Sequence, residues 1–267
     1  MGAGDDADFA RRYGPTALVT GAAEGLGAAF AHAVAVRGLD VVLVDVQTEK
    51  ARATADAIAR EHGVRARAVA CDLAAAGFLA TLQAATRDDE VGLLVGCAGV
   101  GATGPFLETP VEVLRRAIAV NCTATLELVH HYARPMTERG RGGAVVVASN
   151  SAYAGTPFVA NYAATKAYDL ALGEALWYEL APHGVDVLAF APQGTNTPGF
   201  RRGMPDLAPG EKREGIMLPE EAVAIALGAL GRIASLRPDM PEDWSRKREG
   251  VVRAAGDFTR GLATSRG

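Results

Sequence analysis

Thr16-Ala17-Leu18-Val19-Thr20-Gly21-Ala22-Ala23-Glu24-Gly25-Leu26-Gly27 reads as an apolar strand running into a glycine-spaced turn that opens a helix. Apolar side chains at successive positions suit a strand covered on both faces. Glycines at 21, 25 and 27 permit a tight turn, whose free N–H groups can meet a phosphate at the helix N-terminus. A plain strand-to-helix connection would look similar, so the weight comes from Asp45, which ends a second apolar run beginning at Val41. A carboxylate there, followed by Val46, accepts hydrogen bonds from a ribose diol and repels a 2′-phosphate. Glu24 adds negative charge inside the turn. The combination predicts a dinucleotide site for NAD rather than NADP, built on Gly21, Glu24, Gly25, Gly27 and Asp45.

Outward from this turn, short β-branched runs alternate with longer Ala-rich stretches of helical period, the pattern of βαβ units around a parallel sheet. Strands are predicted at Ala17 to Thr20, Val41 to Asp45, Ala66 to Ala70, Leu93 to Val95, Ala144 to Ala148 and Val185 to Phe190. Helices should begin near Gly25, Thr48, Ala75, Pro110, Val159 and Pro219. The expected fold is α/β, a doubly wound parallel sheet in a single domain. Residues 1–15 read as an N-terminal extension and 16–238 as the dinucleotide-binding and catalytic domain. Residues 239–267 form a charged tail, either a helix docked on a neighbour or a loose end. Pro198, Gly199, Gly203, Pro205, Pro209, Gly210 and Gly215 break any long element, so about 194–218 reads as a mobile flap.

The 267 residues, 49% apolar and 22% charged, suit one globular unit with a substantial core. A net charge of −4 without a dense Lys/Arg block argues against a nucleic-acid partner. Cys71, Cys97 and Cys122 are too far apart for a zinc pattern and the histidines show no ligand spacing, so a reducing compartment and no metal are expected. The charge-free stretch Gly142 to Thr165 holds Ser149, Asn150, Ser151, Thr156, Pro157 and Asn161, and reads as strand plus loop rather than a membrane span. Met1 to Asp6 carry neither a basic n-region nor an apolar h-region, so a cytoplasmic protein is expected.

Tyr162-Ala163-Ala164-Thr165-Lys166 places a phenol and an ammonium at i and i+4 on one helical face. The lysines are Lys50, Lys166, Lys212 and Lys247, so chance would produce on the order of 0.1 such pairs. An ammonium eases ionisation of a phenol from its usual pKa of ~10 and can hold a ribose hydroxyl. Ser149 follows the strand ending at Ala148, beyond the edge of a parallel sheet where ligands collect. Its hydroxyl can donate to a substrate oxygen, with Ser151 the competing neighbour. A turn-stabilising Ser149 and a solvated Asp45 are the plain alternatives.

With these residues assembled, the chain resembles the short-chain dehydrogenase/reductase family over roughly Thr16 to Leu230. Members show TGxxxGxG, an Asp-hydrophobic pair after the third strand, Asn-Ala-Gly after the fourth, an isolated Asn in the next helix, and Ser followed by YxxxK. Here stand Thr20 to Gly27, Asp72-Leu73, Cys97-Ala98-Gly99, Asn121, Ser149 and Tyr162 to Lys166. The resemblance implies a Rossmann-like fold and hydride transfer with NAD. It makes Tyr162 the general acid/base, has Ser149 orient and polarise the carbonyl or alcohol, and gives Lys166 the nicotinamide ribose. Asn121 would bend its helix and hold a water in a relay to Lys166, although on composition alone it reads as solvated. Leu26 is implied as a pyrophosphate contact, Asp72 and Leu73 as the adenine site, Cys97, Ala98 and Gly99 as cofactor contacts, and Thr195 and Thr197 as partners of carboxamide and phosphate.

Three departures from the family pattern carry expectations. Gly96-Cys97 replaces Asn-Asn, so a strand-tying hydrogen bond is either lost or replaced, and its loss would leave a slightly looser nicotinamide pocket. Pro192-Gln193-Gly194 replaces Pro-Gly, and the usual Val-Asp-Gly-Gly is missing, leaving Arg232 to Leu236 as the candidate last strand. Val100, Phe106, Tyr153, Ala154, Phe158, Phe200, Met204, Leu207 and Met217 are expected around the substrate. That apolar set favours an uncharged, alicyclic ketone or secondary alcohol over the carboxylate or acyl-CoA suggested by Arg201-Arg202. The expected function is an NAD-dependent alcohol dehydrogenase or ketone reductase. A dinucleotide-binding sensor or scaffold without turnover is the alternative, and an epimerase or dehydratase usually needs a longer substrate domain. The helices near Pro110 and Val159 are expected to form a dimer or tetramer face, a homotetramer by similarity.

Overall fold

The computed structural model describes residues 3–264, so the ends of the predicted extension and tail, residues 1–2 and 265–267, lie outside the described residues. Seven strands are β1 Thr16–Thr20, β2 Asp40–Asp45, β3 Ala66–Ala70, β4 Val91–Gly96, β5 Gly142–Val147, β6 Val185–Phe190 and β7 Ser235–Leu236. The α-helices are α1 Ala3–Tyr13, α2 Gly25–Val36, α3 Thr48–His62, α4 Phe78–Ala85, α5 Val111–Ile118, α6 Ala124–Arg139, α7 Ala160–Leu180, α8 Pro198–Arg201, α9 Pro219–Ala229 and α10 Glu242–Thr264. The strands form one parallel sheet in the order β3-β2-β1-β4-β5-β6-β7. Strand order reverses between β1 and β4, which opens a crevice beyond Thr20 and Gly96.

Alternate side chains of a strand serve two cores. From β1, Ala17 and Val19 join Phe30 and Val34 of α2, while Leu18 faces the other way with Leu128 and Val129 of α6. Burial on both faces is why these strands read as unbroken apolar runs. Boundaries shift for local reasons. The helix expected near Ala75 begins at Phe78, because Asp72 Oδ1 takes the Ala74 N–H at 3.0 Å and Gly77 turns at φ +78°. Pro110 stands just outside α5 in an extended conformation, whereas Pro219 is the first residue of α9. Of Arg232 to Leu236, the last two residues pair with β6.

The first and last described helices, α1 and α10, fold onto this scaffold. Phe9 and Tyr13 of α1 enter the first core, and the Tyr13 hydroxyl donates to Asp186 Oδ2 at 2.6 Å. The charged tail becomes α10, which docks on α7 of its own chain rather than hanging loose. Glu174 of α7 is 5% exposed and receives Arg248 at 2.5 and 2.6 Å, because a carboxylate that deep needs a cation. Arg253 stacks 4.5 Å over Trp177, and Trp244 meets Tyr153 edge-on at 5.0 Å. Among the described residues, no helix is long and apolar enough to cross a membrane.

Candidate active site

The crevice begins at the turn after β1. Gly21 has φ +66°, and a side chain there would press on the Ala98 backbone at 2.9 Å. Glu24, at the N-cap of α2, makes no side-chain cap, so first-turn N–H groups remain for an anion. Thr20 Oγ1 accepts the N–H groups of Cys97 and Ala98, both at 3.0 Å, and donates to Val95 O at 3.4 Å. Thr20 thus ties β1 to the end of β4, so of the two outcomes expected at Gly96-Cys97 a strand-tying hydrogen bond is present, supplied by Thr20. Burial pushes the Cys97 thiol up to about 12, so it stays protonated.

Asp45 is 8% exposed and accepts N–H from Ala23 at 3.0 Å and from Gln47 at 2.8 Å. Val46 stands exposed beside it. The charge expected from Glu24 is answered by Lys50 at 2.7 Å. Asp72 is held bidentately by Arg116 at 2.9 and 3.1 Å, and that guanidinium, with the Ala74 N–H, keeps its carboxyl below the usual range. Leu73 is buried in the second core, and Leu26 packs against the first. Thr195 donates to Gln193 O at 3.0 Å. Thr197 caps α8 by accepting the Phe200 N–H at 3.1 Å, and its methyl faces Gly25 across the crevice.

The second half of the site lies at the end of β5. Ser149 caps the short turn Asn150–Tyr153, accepting from Ser151 Oγ at 3.0 Å and donating to Asn150 Oδ1 at 3.4 Å. On α7, Lys166 Nζ lies 6.0 Å from the Tyr162 ring centroid and donates to Val147 O at 2.8 Å, two residues before Ser149. It also donates to Asp169 Oδ2 at 2.9 Å. Burial alone would push the Lys166 ammonium down. Asp169 outweighs it, with Tyr162 adding to its effect, and lifts the group above the usual lysine range.

Asn121 sits in a π turn, Ala119–Thr123, between α5 and α6, and is fully buried rather than solvated. Its Oδ1 accepts the Val100 N–H at 2.9 Å, and its Nδ2 donates to Val100 O at 2.9 Å and Thr165 Oγ1 at 2.8 Å. Its own carbonyl accepts Thr125 Oγ1 at 2.6 Å. The clamp on Val100 fixes the strand-to-helix loop over α7: at Gly101 any side chain would start 2.8 Å from the Tyr162 ring. The loop from Cys97 to Gly101 therefore joins the dinucleotide turn to the Tyr162 and Lys166 face.

At the rim, Val100, Phe106 and Phe158 are exposed, and Gly104 N–H donates to Phe158 O at 2.8 Å. Leu207 and Met217 are buried, Met217 in the first core, so they are not the open pocket walls expected of them. The flap is organised by Asn196, which sequence reasoning passed over. Asn196 is 3% exposed, donates to Ala208 O at 2.9 Å and Glu211 O at 3.0 Å, and receives Arg201 at 2.8 Å. Arg201 is thereby engaged inside the flap instead of waiting for an acid. Folding also brings His32, Glu61 and His62 together with ligand atoms within 4.8 Å, a grouping with no sequence spacing to announce it. It lies on α2 and α3, where the two imidazoles already meet each other at 3.3 Å.

The chain belongs to the short-chain dehydrogenase family: the family model described as short chain dehydrogenase matches residues 15–206. It is 32% identical over 257 residues to a 7beta-hydroxysteroid dehydrogenase of Collinsella aerofaciens, covering 93% of this chain and 98% of that one. A short-chain dehydrogenase from Sphingobium yanoikuyae in complex with NADPH superposes with TM-score 0.76 at 30% identity, covering 94% of this chain and 95% of the other. The bulky-bulky ketone specific alcohol dehydrogenase from Comamonas testosteroni does so with TM-score 0.76 at 27% identity and 94% coverage of each. Membership makes the chain an oxidoreductase of a family that binds a nicotinamide dinucleotide.

Proposed function

We propose that this protein interconverts a bulky, uncharged secondary alcohol, of alicyclic or steroid type, and its ketone, using NAD(H). The observation that carries the reading is the convergence of the Tyr162 and Lys166 face with the end of β5 that bears Ser149, beneath the loop fixed by Asn121. The uncapped α2 N-terminus, Gly21 and Thr197 fit the diphosphate, and Asp45 fits the ribose diol. When bound, the dinucleotide supplies a hydride acceptor or donor at its pyridine ring. Tyr162 takes the alcohol proton during oxidation and returns it during reduction, while Ser149 donates to the same oxygen. Lys166 favours the phenolate and has a third N–H for the nicotinamide ribose. The exposed Val100, Phe106 and Phe158 at the rim, and relatives that act on a hydroxysteroid or bulky ketones, support an apolar substrate.

Asp45 disfavours a 2′-phosphate, although one neighbour carries NADPH and Lys50 stands close by on Glu24. Exposed Leu107, Val111, Ile118 and Leu126 around α5 and α6 offer a self-complementary face for a dimer or tetramer. A panel of alicyclic and steroid alcohols and ketones, followed by absorbance of the reduced cofactor with NADH and NADPH in parallel, tests the main reading. Turnover with NADH and a bulky substrate is expected. Tight cofactor binding with no turnover across the panel would favour the sensor alternative.

A further inference from the structure

Tyr162, Lys166 and Asp169 fall at i, i+4 and i+7 on α7, so the ammonium lies between a phenol and a carboxylate. Lys166 is 3% exposed and Asp169 1%, joined at 2.9 Å, and Asp169 Oδ1 is buried without a hydrogen-bond partner. Neither charge would be tolerable at that depth alone. The acid is an expensive companion for a lysine that Val147 O already holds at 2.8 Å.

We propose that Asp169 is a positioning residue: it accepts a hydrogen bond from one of the three Lys166 N–H groups, leaving the third aimed at the cofactor ribose, and it offsets part of the positive charge that reaches Tyr162. This rests on the redox reading above. The groups facing the pair are Tyr162 and Tyr168 on α7 itself, Cys97 on the loop after β4, and Cys122 on the π turn, with Thr125 of α6 uncharged beside them. Burial pushes Cys97 up to about 12 and Cys122 to about 11, and lifts Tyr168 as well. These stay neutral over the working range, which leaves Tyr162 and Lys166 to respond. The sign follows from charge alone: removing a nearby negative group makes each neighbouring acid lose its proton more readily.

The test is the pH profile of kcat/KM for alcohol oxidation in Asp169→Asn, with Asp169→Glu as the charge-preserving control. The rising limb in Asp169→Asn is expected roughly one pH unit lower than in the unmodified enzyme, with a new decline at high pH as Lys166 deprotonates. Asp169→Glu should keep the original position. A profile that stays in place in Asp169→Asn, whatever the loss of rate, or one that moves to higher pH, overturns the proposal. Should Asp169→Asn fail to fold, Asp169→Ser carries the same expectation. Should the unmodified enzyme turn nothing over, the redox reading fails by itself. The pH dependence of NADH binding then decides on Asp169, whose replacement should bring the alkaline loss of affinity to lower pH.

Discussion

Two buried aspartates divide the molecule. Asp45, at the end of β2, is satisfied by two backbone N–H groups and keeps lone pairs for a ligand. Asp169, in α7, is satisfied by a lysine ammonium and leaves one oxygen idle. The first is held by its own neighbourhood, the turn it packs on and the residue two places ahead. The second depends on a side chain that also reaches another strand. The Asp45 side of the crevice is thus assembled locally, and the side proposed to be catalytic is assembled by long-range pairing, including α10 through Arg248 and Trp244.

That contrast can be broken in graded ways. Tyr162→Phe should lower kcat by at least about 10²-fold while the NADH dissociation constant, measured by fluorescence, stays within about threefold. Retained turnover would remove Tyr162 from the chemistry. Asp45→Ala should weaken NAD by roughly tenfold and relax discrimination against NADP without changing the pH profile, as parallel titrations would show. A wild-type preference for NADP would undo the ribose assignment. Arg248→Ala strands Glu174 and should cost about 2 kcal/mol in denaturant unfolding, with kcat falling and NADH affinity unchanged. Equal losses in both would mean that the two halves are not separable. The smallest effect on rate is expected for Leu107→Asp, which should reduce the sedimenting mass and leave kcat near its original value.

The sequence disclosed what depends on spacing. Thr20 to Gly27, Asp45 and Tyr162 to Lys166 each carry their geometry in a local period, and they fall on the turn, strand end and helix face expected of them. The parallel, doubly wound sheet followed from alternating βα units, and its strand order came only with the structure. Three things stayed hidden because they are pairings across long separations. Thr20 ties β1 to the end of β4 by accepting two N–H groups some 77 residues away. Asn196 gathers a flap whose glycines and prolines suggested only looseness. Asp169 looks like one more charge in an Ala-rich helix until the helix is packed. The tail was opaque for a related reason: besides Trp244 and Val252, α10 docks through guanidinium groups on aromatic rings and a buried carboxylate, so much of its contact face is charged rather than apolar.

The contact of Trp244 with Tyr153 gives the molecule an optical gauge. Tyr153 closes the short turn that Ser149 opens, and its ring meets the indole edge-on. With Trp177 replaced by Phe, emission would come from a single indole touching the turn that bears the proposed catalytic serine, so seating of a candidate substrate could be followed as a change in intensity without any chemistry taking place.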